Sequence, residues 1–284
     1  MNWDAYKVWY SDDRVLYEIV KQLKGREATF IGYSTDKKKE YIFRCIKAHS
    51  IDYLKSNFNA FSFYSSNRVY NIYRSVALLK DMPMFSFNME KRMEQQKEFN
   101  KEFTKYVQGF DFVVDFDGDD LEYDVVWQHV NIVRQLFSDG GVPFIIKTSS
   151  ANGFHIEVPD FAMAGDIDEK LMFGMRLMRN VKQLFQLSSV DMSIYNLRRI
   201  FKVAYSYDIR THKIAMPLTD KEFQEIREDK SIMDVNRAID LVENRGLLCR
   251  DFVPEKFRKM VDDLEEEELV ATIATDNRVK DGTN

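Results

Sequence analysis

Along this chain the spacing of apolar residues changes repeatedly, and each change marks an element. Between residues 14 and 24, Leu16, Ile19, Val20 and Leu23 recur at helical spacing and predict an amphipathic helix. Residues 28–33 and 41–46 read as extended from their β-branched and aromatic content, and the Ala-Phe-Ser-Phe-Tyr run at 60–64 as another strand-like piece. Residues 89–106 are polar and helical in composition. The run Phe-Asp-Phe-Val-Val-Asp-Phe at 110–116 predicts a buried strand, and 121–137 a helix that stops at Asp139-Gly140-Gly141. Strands are expected at 143–148 and 154–158, joined by a loop of small residues, then a long helix over 167–187. Residues 199–204 and 213–218 read as strands. From Thr219 to about residue 269 the pattern is helical, and a polar tail follows over 270–284.

From residue 110 onward the order is strand, helix, strand, strand, helix, strand, strand. That mixture predicts an α+β fold with helices on one face of an RRM-like sheet, over about residues 108–218, fused to an N-terminal α/β layer. Residues 1–218 are expected to form one core, and 219–269 a C-terminal helical segment. With 284 residues, 45% of them hydrophobic, the chain is long enough to bury such a core.

Composition narrows the function classes. Two cysteines, Cys45 and Cys249, supply neither a disulfide framework nor a thiolate zinc site. The opening residues carry no apolar signal segment, and no apolar run reaches membrane-span length, so a cytoplasmic or nucleoid-associated protein with no membrane partner is expected. The net charge of −5 argues against a broadly basic surface but leaves room for a local basic groove. The acidic run at 262–268 reads as a solvated helix end.

Three groups of residues carry candidate chemistry. Asp115 and Asp117 flank Phe116 at the end of an apolar strand, so alternation puts both carboxylates on one face. Two acids so spaced suit a pair of divalent cations about 3.5–4 Å apart, the arrangement used in in-line phosphoryl transfer. The alternative is that Asp-Phe-Asp-Gly-Asp-Asp ends a strand and opens a turn. The second group runs from Ser149 through Gly153 to His155 and Glu157. Its loop amides suit an anion, and His155 shares the polar face of the following strand with Glu157; an ordinary hairpin is the alternative. Third, Asp191 precedes Arg199 and Lys202 in a cationic strand, with Ser206 beyond, a set that suits phosphate. A salt-bridged strand surface is the alternative there.

Taken together, these residues resemble the archaeo-eukaryotic primase superfamily, and most of all the small catalytic subunit of archaeal and eukaryotic DNA primase. The likeness spans roughly residues 25–218. It rests on Asp115-x-Asp117, on Ser149, Gly153 and His155, on Asp191 with Arg199, Lys202 and Ser206, and on Arg210 and Lys213 in the next hairpin. Gly25-Arg26-Glu27 and the 60–65 segment resemble the family's N-terminal parts. The resemblance implies that Asp115, Asp117 and Asp191 bind two Mg²⁺ or Mn²⁺ ions and are catalytic. It implies that Ser149, His155, Arg199, Lys202, Ser206 and Arg210 hold the incoming nucleoside triphosphate. The implied partners are a single-stranded DNA template and primer, with a primase large subunit or a helicase beside them.

Three departures stand out. Ser150 replaces a family glycine, and Asp208 replaces a histidine that would donate to phosphate. Residues 118–148 lack the family's zinc knuckle, so no structural zinc is expected. An end-joining repair polymerase of the same superfamily is the nearest variant. Two rival classes remain: a glycosyltransferase using Asp-x-Asp for a metal-bound sugar nucleotide, and a non-catalytic RRM-like module stacking bases on Phe61, Phe63 and Tyr64.

Overall fold

Helix α1 (Asp13–Leu23) opens on Asp12, whose carboxylate accepts the Arg14 amide, and it buries Val15, Leu16, Ile19 and Leu23. A computed structural model describes residues 8–34, 39–48, 50–62, 67–86, 88–118, 120–149, 152–160, 166–208 and 210–242 of the chain. After α1 come β1 (Ala28–Ser34), β2 (Lys39–Ile46), α2 (Ile51–Ser62) and β3 (Asn67–Ser75). Residues 60–62 of the stretch expected to be strand-like instead complete α2, whose Leu54 is buried in the main core, and residues 63 and 64 lie outside the described residues. Next are β4 (Ala77–Leu79), α3 (Met89–Lys101), α4 (Phe103–Tyr106) and β5 (Val107–Phe110).

The run at 110–116 is broken at Asp111, whose amide donates to the Val76 carbonyl at 3.0 Å and whose carboxylate accepts from Arg26 and Arg74. Strand β6 (Phe112–Phe116) resumes beyond it, followed by α5 (Tyr123–Asp139), β7 (Ile145–Thr148), β8 (Phe154–Val158) and α6 (Ile167–Leu184). Asp166 and Glu169 form a capping box at the start of α6. A 3₁₀ turn (Met192–Ile194) leads to β9 (Ile200–Lys202), β10 (Tyr207–Asp208), β11 (Lys213–Ile214) and β12 (Pro217–Leu218). The strand expected over 213–218 is thus two short strands in different sheets. Helix α7 (Asp220–Glu225), a 3₁₀ turn (Lys230–Met233) and α8 (Val235–Leu241) follow. The rest of the expected helical segment and the polar tail lie outside the described residues.

Two four-stranded antiparallel sheets organise the molecule, ordered β2–β1–β3–β9 and β12–β7–β8–β6. Strand β9, counted from sequence among the strands of the later sheet, instead pairs with β3 and completes the N-terminal one. One face of the later sheet is apolar. Phe112, Val114, Phe116, Ile156 and Val158 share a core with Val126, Val130, Val133 and Phe137 of α5, and with Leu177, Met178 and Val181 of α6. The other face looks toward β9: Val113 packs with Val76, Ile194 and Phe201. Residues beyond Thr219 pack on the helix layer, where Trp127 stacks on Phe223 at 5.2 Å and donates its indole N–H to the Phe223 carbonyl. The fold is α+β, as expected.

Candidate active site

Alternation along β6 and β8 places a row of polar side chains on the face turned toward β9. In register, Asp115 stands opposite His155, which stands opposite Lys147 on β7. One step further along the same face, Val113 lies opposite Glu157. These groups sit between two sheets, where unpaired charge would be costly, so each finds a partner. His155 Nε2 is 3.3 Å from Asp115 Oδ1. Lys147 donates to Glu157, which also accepts from Arg74 of β3 at 2.8 Å.

Burial pushes the Asp115 carboxyl up, but His155 beside it, then Arg199 and Lys147, outweigh that and hold it below the usual carboxylate range. Burial drives the His155 pKa down more than Asp115 raises it, which favours the neutral imidazole. With Nε2–H directed at the carboxylate, Nδ1 is the bare nitrogen, and among the described residues it is buried without a hydrogen-bond partner. The ring packs edge-on against Phe201 at 5.0 Å.

Beside this row opens a pocket of about 460 Å³, walled by Asp115, Asp117, Ser149, Gly153, His155, Lys202, Asp208 and Arg210, with Tyr73 and Thr211 completing it. It is assembled from both sheets. Asp115 and His155 come from the later one, Tyr73 and Lys202 from the strands β3 and β9. A single glycine keeps the loop wall thin: a Cβ on Gly153 would stand 2.5 Å from Ser149 Oγ and 2.6 Å from the Phe116 carbonyl. Residues 150 and 151 of that loop, Ser150 among them, lie outside the described residues.

The basic strand enters through Lys202, whose ammonium donates to Asp208 Oδ2 at 2.9 Å and to the Ser149 carbonyl at 3.2 Å. Burial lowers the Lys202 pKa, an effect the Asp208 charge opposes. Asp208 also accepts the Arg210 amide at 2.8 Å, so the acid standing in the family's histidine position is turned onto Lys202 and its own turn. The Tyr73 phenol is raised to about 12 by burial and by Asp208.

Asp191 joins the other two acids through the backbone. Its amide donates to the Asp115 carbonyl at 3.0 Å, and the Asp117 amide donates to the Ser189 carbonyl at 2.8 Å, which stitches the two segments side by side. Its carboxylate, however, caps the following 3₁₀ turn by accepting from Ser193, with Arg199 at 3.5 Å. Among the described residues no group of three or more His, Cys, Asp or Glu side chains is gathered to hold a metal ion. The donors suit Mg²⁺ or Mn²⁺ in kind, being carboxylate oxygens, and two of the three wall the pocket.

The remaining sequence candidates separate. Arg199 sits with Asp191 outside the pocket wall. Ser206 is fully buried, and its hydroxyl accepts the Ile72 amide at 2.8 Å, which holds β3 beside the chain leaving β9. Lys147, Tyr73 and Thr211 were not singled out from sequence. Lys147 did carry a signal, a lysine within the apolar run Phe144-Ile145-Ile146.

No protein-family model matches the chain, and no curated protein matches it. Solved structures do. The polymerase domain of Mycobacterium tuberculosis Ligase D, in complex with DNA, superposes with a TM-score of 0.55 at 14% identity, covering 84% of this chain and 87% of that one. The primase-polymerase domain of cyanophage S-2L gives 0.37 at 14% identity over 81% of this chain and 97% of its own. Primase RepB′ gives 0.36 at 10% identity, over 94% of this chain and 67% of its own. The likeness to the Ligase D domain is one of fold: the chain shares the architecture of that polymerase domain.

Proposed function

We propose that this protein is a template-directed nucleotidyltransferase of the archaeo-eukaryotic primase superfamily, acting as a primase catalytic subunit that joins nucleotides from NTPs or dNTPs with release of pyrophosphate. One observation carries the reading. Residues from four separate stretches, Asp115 with Asp117, Ser149 with His155, Lys202, and Arg210, wall a single pocket between the sheets. A glycosyltransferase reading accounts for the paired acids and leaves the rest of that convergence without a role.

In this reading Asp115, Asp117 and Asp191 hold Mg²⁺ or Mn²⁺, which would offset phosphate charge and make a 3′-hydroxyl more acidic. Asp115 is suited to this because its carboxylate stays ionised despite burial. Asp191 must exchange its Ser193 and Arg199 contacts to take part, which would free the Arg199 guanidinium for phosphate. Neutral His155 keeps Asp115 aligned with its Nε2–H, and Arg210, exposed at the pocket wall, meets the triphosphate. The Ser149 wall, thinned at Gly153, lets phosphate approach backbone.

The test is synthesis on single-stranded DNA, primed and unprimed, with either nucleotide pool and either metal. The wild-type protein is expected to make product, and Asp115→Ala and Asp191→Ala to lose it by at least about a hundredfold while keeping template binding, as removal of transition-state charge stabilisation predicts. Normal extension by both variants refutes the assignment.

A further inference from the structure

The pocket that would receive a triphosphate is walled by three carboxylates, Asp115, Asp117 and Asp208, and by two cations, Lys202 and Arg210. Lys202 is the cation set deepest in it, and that ammonium already faces a carboxylate at 2.9 Å, with both side chains nearly excluded from solvent. Asp208 cannot readily turn away. Its Oδ1 accepts the Arg210 and Thr211 amides at the β10–β11 turn, which fixes the plane that presents Oδ2 to Lys202. The Ser149 carbonyl holds the ammonium from the other side.

We infer that Asp208 sets the charge of the nucleotide pocket, cancelling Lys202 so that the pair acts on an incoming triphosphate as a neutral hydrogen-bonding unit rather than as a cation. The inference rests on the nucleotide-binding reading above and deepens it. Its physical basis is distance and dielectric: a phosphate brought to Lys202 meets the Asp208 charge at nearly the same range, and with little water between them the two contributions oppose each other almost equally. Asp208 also stands 3.8 Å from the Arg210 guanidinium, which Glu40 faces at the same distance, and so works as a specificity-determining residue that keeps affinity for polyanions low. Arg210 is much the more exposed of the two cations, with 62% of its side chain accessible.

The experiment is a charge-cancelling double-mutant cycle, read as equilibrium binding of α,β-methylene-ATP and α,β-methylene-dATP under one fixed buffer. Primer extension by the wild-type protein and the melting temperature of each variant are measured beside it. Asp208→Asn keeps the oxygen that accepts the two turn amides, and is expected to bind about tenfold tighter, the effect of removing one nearby like charge. Lys202→Gln leaves Asp208 buried and unopposed, and is expected to bind about tenfold weaker. The double variant should return to within about threefold of wild type. If Asn disturbs the turn, seen as a lowered melting temperature, Asp208→Ser provides the second neutral side chain.

Should the double variant bind as poorly as Lys202→Gln, or neutral replacements at 208 fail to tighten binding, Lys202 grips phosphate independently and the inference is wrong. Should the wild-type protein neither bind these analogues nor extend a primer, the nucleotide reading itself fails and takes this one with it. Extension together with a flat series overturns only the role of Asp208.

Discussion

His155 is a titratable group held where its charged form is unwelcome. Asp115 and Lys147 stand opposite it on the neighbouring strands, Glu157 lies two residues along on its own strand, and Phe201 covers it from β9. Burial lowers its pKa first, and Asp115 recovers only part of that shift. The sign follows from linkage. The unfolded chain, with the ordinary value of 6.5, binds the proton more readily than the folded one. Stability from this group is therefore complete above pH 6.5 and is lost as pH falls below it toward the folded value. The Asp115 carboxyl, also lowered, acts in the same direction at more acid pH. Urea unfolding at pH 7.5 and pH 5.5 should accordingly show the wild-type protein losing stability on acidification. His155→Gln removes the proton site and is expected to flatten that dependence between the two values. Identical slopes would mean that folding leaves the His155 pKa unshifted.

The elements meet closely enough for single methyl groups to matter, and Gly174 of α6 is the clearest case. A Cβ there would lie 2.6 Å from the Phe112 ring of β6. That ring is itself held, stacked on Tyr195 at 5.8 Å and tilted against Phe137 at 6.5 Å. Two effects oppose each other in Gly174→Ala: helix propensity favours alanine by about 1 kcal/mol, and overpacking costs about 1–3 kcal/mol. With the ring fixed on both sides the second should win. A net loss of up to about 2 kcal/mol in denaturant unfolding is expected, and a gain would show that α6 can slide.

The sequence reading was most accurate where structure is local. Strand β8 (Phe154–Val158) was read with its bounds correct because apolar and polar positions alternate strictly between Gly153 and Pro159. The start of α6 falls at residue 167 as expected, and the structure shows Asp166 and Glu169 capping it. The partner of β9 was not legible, because β3 lies more than a hundred residues earlier and no local pattern encodes that pairing. The same blindness covered the pocket. Acids and base were each visible on their own strands, while the Asp208–Lys202 pairing and the carboxylate of Asp191 turned into its own cap depend on tertiary geometry.

At the scale of the whole molecule, the sheets are joined through buried charge as well as apolar packing. Arg74 of β3 reaches Asp111 and Glu157 at 2.8 Å each, Arg26 reaches Asp111 at 2.6 Å, and Lys147 closes the chain on Glu157. Three cations share two carboxylates, and the strain of that excess shows in Arg26, lowered to about 10 by burial and then by Arg74. Glu157 is thus the group that lets Lys147 and Arg74 be buried together on the face that carries His155. Glu157→Gln would leave the two cations confronting each other, and an uncompensated buried charge costs about 3–5 kcal/mol. That loss should appear in denaturant unfolding at pH 7. It should shrink when Lys147→Met is added, since a methionine removes the stranded ammonium while filling much of its volume, and Arg74 keeps Asp111. An undiminished loss in the double variant would place the cost on Arg74 instead. The link between the sheets would then run through β3 and Asp111, with Lys147 serving only to orient the strand that faces His155.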